Sequence, residues 1–185
     1  MQKKSSRPAL LVLDCQNYFL DPGSPKYLKG SRAMVPRINR LTGAAAAAGW
    51  PVVFTVHRAP RKPGNLMAGR YERLPADREC LLWPGITRPN ESYLIKKEHY
   101  SAFHRTGLGR MLRRLGVTDI LLCGVMTHLC VDTTARHGFM LGFRPTIVSD
   151  ACCSKSPAYH RAALLALEHG FAEVVTAREA LGLAV

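Results

Sequence analysis

Ile120 to Cys123 is a run of four apolar residues closed by Gly124. Such a run offers no polar face to water, so it suits a strand covered on both sides, in a sheet with helices above and below it. After small and polar turn residues, Val131, Thr134, Ala135, Gly138, Phe139 and Leu141 recur at helical spacing, and Gly142 supplies a stop. A helix is therefore expected to open near Cys130.

The same alternation runs along the chain. Ala9–Leu13 reads as a first buried strand ending in Asp14, followed by a loop over Asp21–Pro25. Ser31 can cap a helix that reaches the Ala44–Ala48 run, with Pro36 in its first turn and Gly49 at its end. Val52–Val56, β-branched and aromatic, makes a second strand and Tyr93–Lys97 a third; Leu108–Leu115 is a basic amphipathic helix. Arg144–Ser149 reads as a strand, Asp150–Lys155 as a loop, and Ser156 with Pro157 opens a helix running to Gly170. Glu173–Thr176 and Ala177–Leu181 complete the pattern as a short strand and a last helical turn. Strands that alternate with helices predict an α/β fold, a three-layer αβα sandwich around a mainly parallel, Rossmann-like sheet. Residues 1–7 read as a basic tail and 8–185 as one domain. Within it, 58–89 carries prolines and arginines but weak periodicity, and is expected to be a lid or an oligomer contact.

Composition narrows the function classes. No apolar run reaches membrane-spanning length, and the five-residue apolar stretch after MQKKSSRP is too short for a signal-peptide core. A soluble, cytoplasmic protein without a membrane partner is expected. The six cysteines show no CxxC spacing, which favours free thiols over disulfides, structural zinc or an iron–sulfur cluster; no cofactor is expected. The formal charge of +13 is spread along the chain instead of forming a tight basic block. A solvated basic face is expected ahead of a nucleic-acid partner.

Several residues stand where chemistry could be done. A thiol near a helix N-terminus meets unpaired N–H groups and the positive end of the helix dipole, so Cys130 is a candidate nucleophile. Asp14 ends a strand on the side of the sheet where α/β folds bind ligands. His57, also at a strand end, is open to two roles, a base or ligand and a structural hydrogen bonder. Lys96 and Lys97 point to opposite faces, so one of the two can face a pocket. Arg70, Tyr71, Trp83 and Arg88 in the excursion are candidate substrate contacts.

Taken together, LLVLDCQNYFLDPGSP, FTVH, KKEHYSAF, GVMTHLCVDTTAR and VSDAC resemble the isochorismatase-like cysteine hydrolase family over nearly the whole chain. The resemblance implies that family's hydrolase fold and a catalytic triad of Asp14, Lys97 and Cys130, with Lys97 placed by its spacing from Tyr100–Ser101–Ala102–Phe103. It also implies a cis peptide between Val125 and Met126, and an oxyanion site formed by the N–H groups of Met126 and Cys130. Gln16, Phe19 and His128 fall where the family lines its pocket, and Tyr100 and Phe103 are further expected contacts. The nicotinamidase branch uses one Asp and two His after the second strand to hold a metal, and FTVHRAP supplies only His57. True isochorismatases lack the cysteine. The implied activity is therefore metal-independent hydrolysis of a C–N bond in a small amide, carbamoyl or ureido compound through a Cys thioester. Vinyl ether hydrolysis and a redox or non-enzymatic thiol protein stand as alternatives. A small, anionic substrate and a homo-oligomer, a dimer or higher, are the expected partners.

Overall fold

The structure is a computed structural model that describes residues 6–58, 65–70 and 75–183. Six strands form one sheet: β1 (Pro8–Leu13), β2 (Val52–His57), β3 (Tyr93–Lys97), β4 (Asp119–Val125), β5 (Arg144–Cys153) and β6 (Glu173–Val175). Their order is β3-β2-β1-β4-β5-β6, and every pairing between them is parallel. β1 and β4 lie at the centre and are almost wholly buried. This accounts for LLVL and ILLC being apolar without alternation.

The helices are α1 (Asn17–Leu20), α2 (Val35–Ala47), α3 (Leu108–Arg114), α4 (Asp132–Met140), α5 (Pro157–Gly170) and α6 (Ala177–Gly182). From β1 the chain crosses to β2 on one side, and from β4 to β5 on the other. Right-handed crossovers in opposite directions put α2 and α4 on opposite faces of the sheet. α2 packs with α6, and α4 with α5. The gap between the ends of β1 and β4 is thus the switch point at which open α/β sheets form their crevice.

Three local differences from the sequence reading have physical causes. Ser31 does not cap α2; it begins a 3₁₀ turn, Ser31–Met34, and its hydroxyl donates to the Phe19 carbonyl, while Pro36 sits in the first turn of α2 as expected. β5 runs four residues past Ser149, through the segment read as a loop. A register shift after Leu122 lets Gly124 pair with Cys152 and Val125 with Cys153, while the polar Asp150 is held by Arg37 and by the Ala177 N–H. The helical stretch also opens ahead of Cys130. A π-helical turn, Thr127–Val131, precedes α4, and the Met126 carbonyl accepts from both Leu129 and Val131.

Candidate active site

Asp14 follows β1 with a φ of 52°, a left-handed conformation that Asp tolerates better than most side chains. Its N–H donates to the Thr55 carbonyl at 3.1 Å and to Thr55 Oγ1 at 3.2 Å, and Thr55 Oγ1 donates to Asp14 Oδ1 at 2.5 Å. Lys97 ends β3 one strand beyond, opposite His57 in register. Strand alternation turns Lys96 out to solvent and Lys97 inward, where its side chain is fully buried. The Lys97 ammonium lies 2.6 Å from Asp14 Oδ2, 3.3 Å from Cys130 Sγ, 3.2 Å from His57 Nδ1 and 3.1 Å from the His99 carbonyl. Cys130 reaches this cluster from the π-helical turn and is itself buried. The Val125–Met126 peptide is cis.

Burial is the largest single influence on all four groups; the neighbours together overturn it at Asp14 and Lys97 but not at Cys130 or His57. Desolvation works to raise Asp14, but the adjacent Lys97 charge, together with His57 and the hydrogen bonds from Cys130 and Lys97, outweighs it and holds the carboxyl below its ordinary value. Desolvation likewise works against the Lys97 ammonium, and Asp14 with Cys130 more than offsets it, so the lysine is raised. Cys130 goes the other way. Burial pushes its thiol up, the pull of Lys97 does not compensate, and the Asp14 charge adds to the rise. Lys97 does pull the thiol down, by its charge and by a hydrogen bond, but burial outweighs both, so the resting site holds a carboxylate, an ammonium and a neutral thiol. Burial, then the Lys97 charge, lowers His57 to about 3, so its ring is neutral and Nδ1 accepts from the ammonium. Asp14, His57 and Cys130 bring donor atoms within 4.8 Å of one another, a spacing that a metal ion could use. The Lys97 ammonium is in reach of all three.

Above Cys130 opens a cavity of about 630 Å³. Phe19, Arg70, Tyr100 and His128 line it, as do Met126 and His57. Lys26, Lys155 and Tyr159 also line it and were not anticipated, because they come from loops and a helix end whose placement no local pattern encodes. Neither Arg70 nor Lys155 forms an ion pair among the described residues. The His128 ring stacks on Tyr159 with centroids 4.7 Å apart, and its Nδ1 meets Ser154 Oγ at 2.7 Å.

Residues 8–179 match the isochorismatase domain family. The chain belongs to the isochorismatase family. Among relatives, Nicotinamidase 3 from Arabidopsis thaliana is 32% identical over 90% of this chain and 83% of its own length. Ureidoacrylate amidohydrolase from Methylobacterium radiotolerans is 29% identical over 94% of this chain and 79% of its own. A cysteine hydrolase from Pseudomonas syringae superposes with a TM-score of 0.88 at 27% identity, covering 97% of this chain and 94% of the other.

Within this isochorismatase-family fold, several residues expected at the cavity lie elsewhere. Gln16 is fully buried, and its amide is consumed by backbone: Nε2 donates to the His57 and Glu79 carbonyls, and Oε1 accepts from the His57 N–H. It ties the excursion to the ends of β1 and β2 and does not line the cavity. Phe103 belongs to the core, stacked on Phe143 at 5.6 Å. Trp83 lies under the Arg32 guanidinium, and Arg88 is bonded to Ser92. Tyr71 and part of the excursion lie outside the described residues. No helix among the described residues is long and apolar enough to cross a membrane.

Proposed function

We propose that this protein is a cysteine hydrolase that cleaves a C–N bond of a small amide, carbamoyl or ureido compound, with a thioester on Cys130 as intermediate. The reading rests on one observation: a buried carboxylate and a buried thiol both lie within hydrogen-bonding distance of the buried Lys97 ammonium, and the thiol belongs to a residue that lines the cavity. The two relatives, a nicotinamidase and an amidohydrolase, support amide chemistry.

Because the resting thiol is neutral, attack needs a base, and Asp14 is held as a carboxylate to serve as one. As sulfur adds to the substrate carbonyl, its proton passes to Asp14, and Lys97 stabilises the charge left on sulfur. The backbone N–H groups of Met126 and Cys130 receive the developing oxyanion. Asp14 then protonates the departing nitrogen, and a water that it deprotonates in turn hydrolyses the thioester. The positive charge that a metal could bring to Asp14, His57 and Cys130 is supplied here by the Lys97 ammonium. Arg70 and Lys155, without ion-pair partners among the described residues, suit a substrate that carries a carboxylate.

A panel of primary amides, N-carbamoyl amino acids and ureido acids, assayed for release of ammonia or amine, tests the reading. Turnover should fall by at least about a thousandfold in Cys130→Ala. Full turnover in that variant overturns it; vinyl ether hydrolysis, which needs no thiol, is the activity that would survive.

A further inference from the structure

Thr55 lies within β2, paired with Leu13 of β1, and is fully buried. Nothing in FTVH marks it as functional, yet it contacts Asp14 at both ends of that residue. Its hydroxyl oxygen stands 3.2 Å from the Asp14 N–H and 2.5 Å from Asp14 Oδ1. The N–H can only donate, so it takes a hydroxyl lone pair, and the single hydroxyl proton is left for Oδ1. Among the described residues no other acceptor is bonded to that proton. The direction of the bond is therefore set by chemistry.

We infer that Thr55 is a positioning residue that commits Asp14 Oδ1 as an acceptor and reserves Oδ2 as the oxygen that carries the proton. The inference rests on the hydrolase reading above. In the first step the S–H bond of Cys130 breaks, its electron pair stays on sulfur and attacks the carbonyl, and an Oδ2–H bond forms. In the second, that proton goes to the leaving nitrogen and Oδ2 is a carboxylate oxygen again. Lys97 Nζ, 2.6 Å from Oδ2 and 3.3 Å from Sγ, lies between the two sites of negative charge and can follow the charge from one to the other. Without the Thr55 hydroxyl, the carboxylate loses the bond that stops it rotating, and either oxygen can turn to Lys97.

The charged and titratable groups facing Asp14 are Lys97 from β3, His57 from β2, Cys130 from the π-helical turn and Cys15, next along the chain. Substituting Thr55 leaves all of these in place, so a change in the titration of Asp14 reports the hydroxyl itself. The experiment is the pH dependence of iodoacetamide labelling at Cys130, read by peptide mass spectrometry. Wild type is compared with Thr55→Val, Thr55→Ala, Thr55→Ser and Asp14→Asn, and thermal unfolding establishes that each is folded. A hydrogen bond to a charged acceptor favours the ionised form, so the acid limb should move up by about one to two pH units in Thr55→Val. Thr55→Ser, which keeps the donor, should restore the wild-type limb. Should the valine variant fail to fold, Thr55→Ala, which adds no bulk, must show the upward shift. Valine or alanine profiles that superpose on wild type while Asp14→Asn abolishes the limb would overturn the role of Thr55 and leave the triad standing. If Asp14→Asn itself leaves the profile unchanged, Asp14 is not the base, and the hydrolase mechanism fails together with the inference.

Discussion

Lys97 is a fully buried ammonium with three protons and four neighbours that can accept them, Asp14, His57, His99 and Cys130. The crowding of acceptors keeps the charge in a place where a lone lysine would lose its proton. The same arrangement predicts how the site fails. Lys97→Met strands the Asp14 charge in the interior, and breaking a buried pair from one side costs about 3–5 kcal/mol. The deficit has a definite sign with pH. Asp14 is lowered in the folded protein, so its contribution is present above its unfolded pKa and is lost as pH falls through the folded one. Lys97 is raised, so its contribution is present below its unfolded pKa and is lost as pH rises through the folded one. In Lys97→Met, Asp14 keeps its Thr55 hydrogen bond but loses its charge partner, and can be neutralised by protonation. Urea unfolding should therefore show a larger deficit at pH 7 than at pH 4, and Asp14→Asn/Lys97→Met should recover much of it. Equal deficits at the two pH values would contradict the buried pair.

At the scale of elements, the site depends on how closely β1 and β4 approach at their C-terminal ends. Gly124 pairs with Leu13, immediately before Asp14, and has a φ of 114°. A Cβ there would lie 2.1 Å from the Leu13 carbonyl oxygen, which is backbone and cannot swing aside. Gly124→Ala should therefore destabilise the protein by more than about 4 kcal/mol or prevent folding, from the clash and the unfavourable φ together. A melting temperature like that of wild type would show that the two strands separate more easily than this geometry allows. Elements also mark the limit of what local pattern can reveal. The apolar cores of β1, β2 and β4 and the capped start of α5 at Ser156 were legible because burial and capping leave a mark in short windows. The extra length of β5 was not. Asp150 looks like a turn residue until α2 and the start of α6 supply its partners.

At the scale of the whole molecule, the charge of +13 acts over distance, and Lys26, Arg70 and Lys155 concentrate cationic side chains around the cavity. Association with an anionic substrate should be steered at low salt, where the screening length is about 30 Å, and much less at 0.15 M, where it is about 8 Å. For a carboxylate-bearing substrate, kcat/KM is expected to fall several-fold across that range, while a neutral amide analogue should change little. Equal salt dependence for the two would detach the charge from substrate capture.

The amino-acid sequence by itself determined the layered α/β architecture, because strands buried on both faces and helices buried on one leave different periodicities. Through the DCQ, KKEHYSAF and GVMTHLC motifs it also singled out Asp14, Lys97 and Cys130. Tertiary structure alone decided which side chains form the cavity wall, since Gln16 was drawn away by the backbone of His57 and Glu79, and Phe103 by the core. It alone decided the protonation of the site too. The state of a thiol beside a lysine depends on how much water burial removes, and that is a property of the packed molecule.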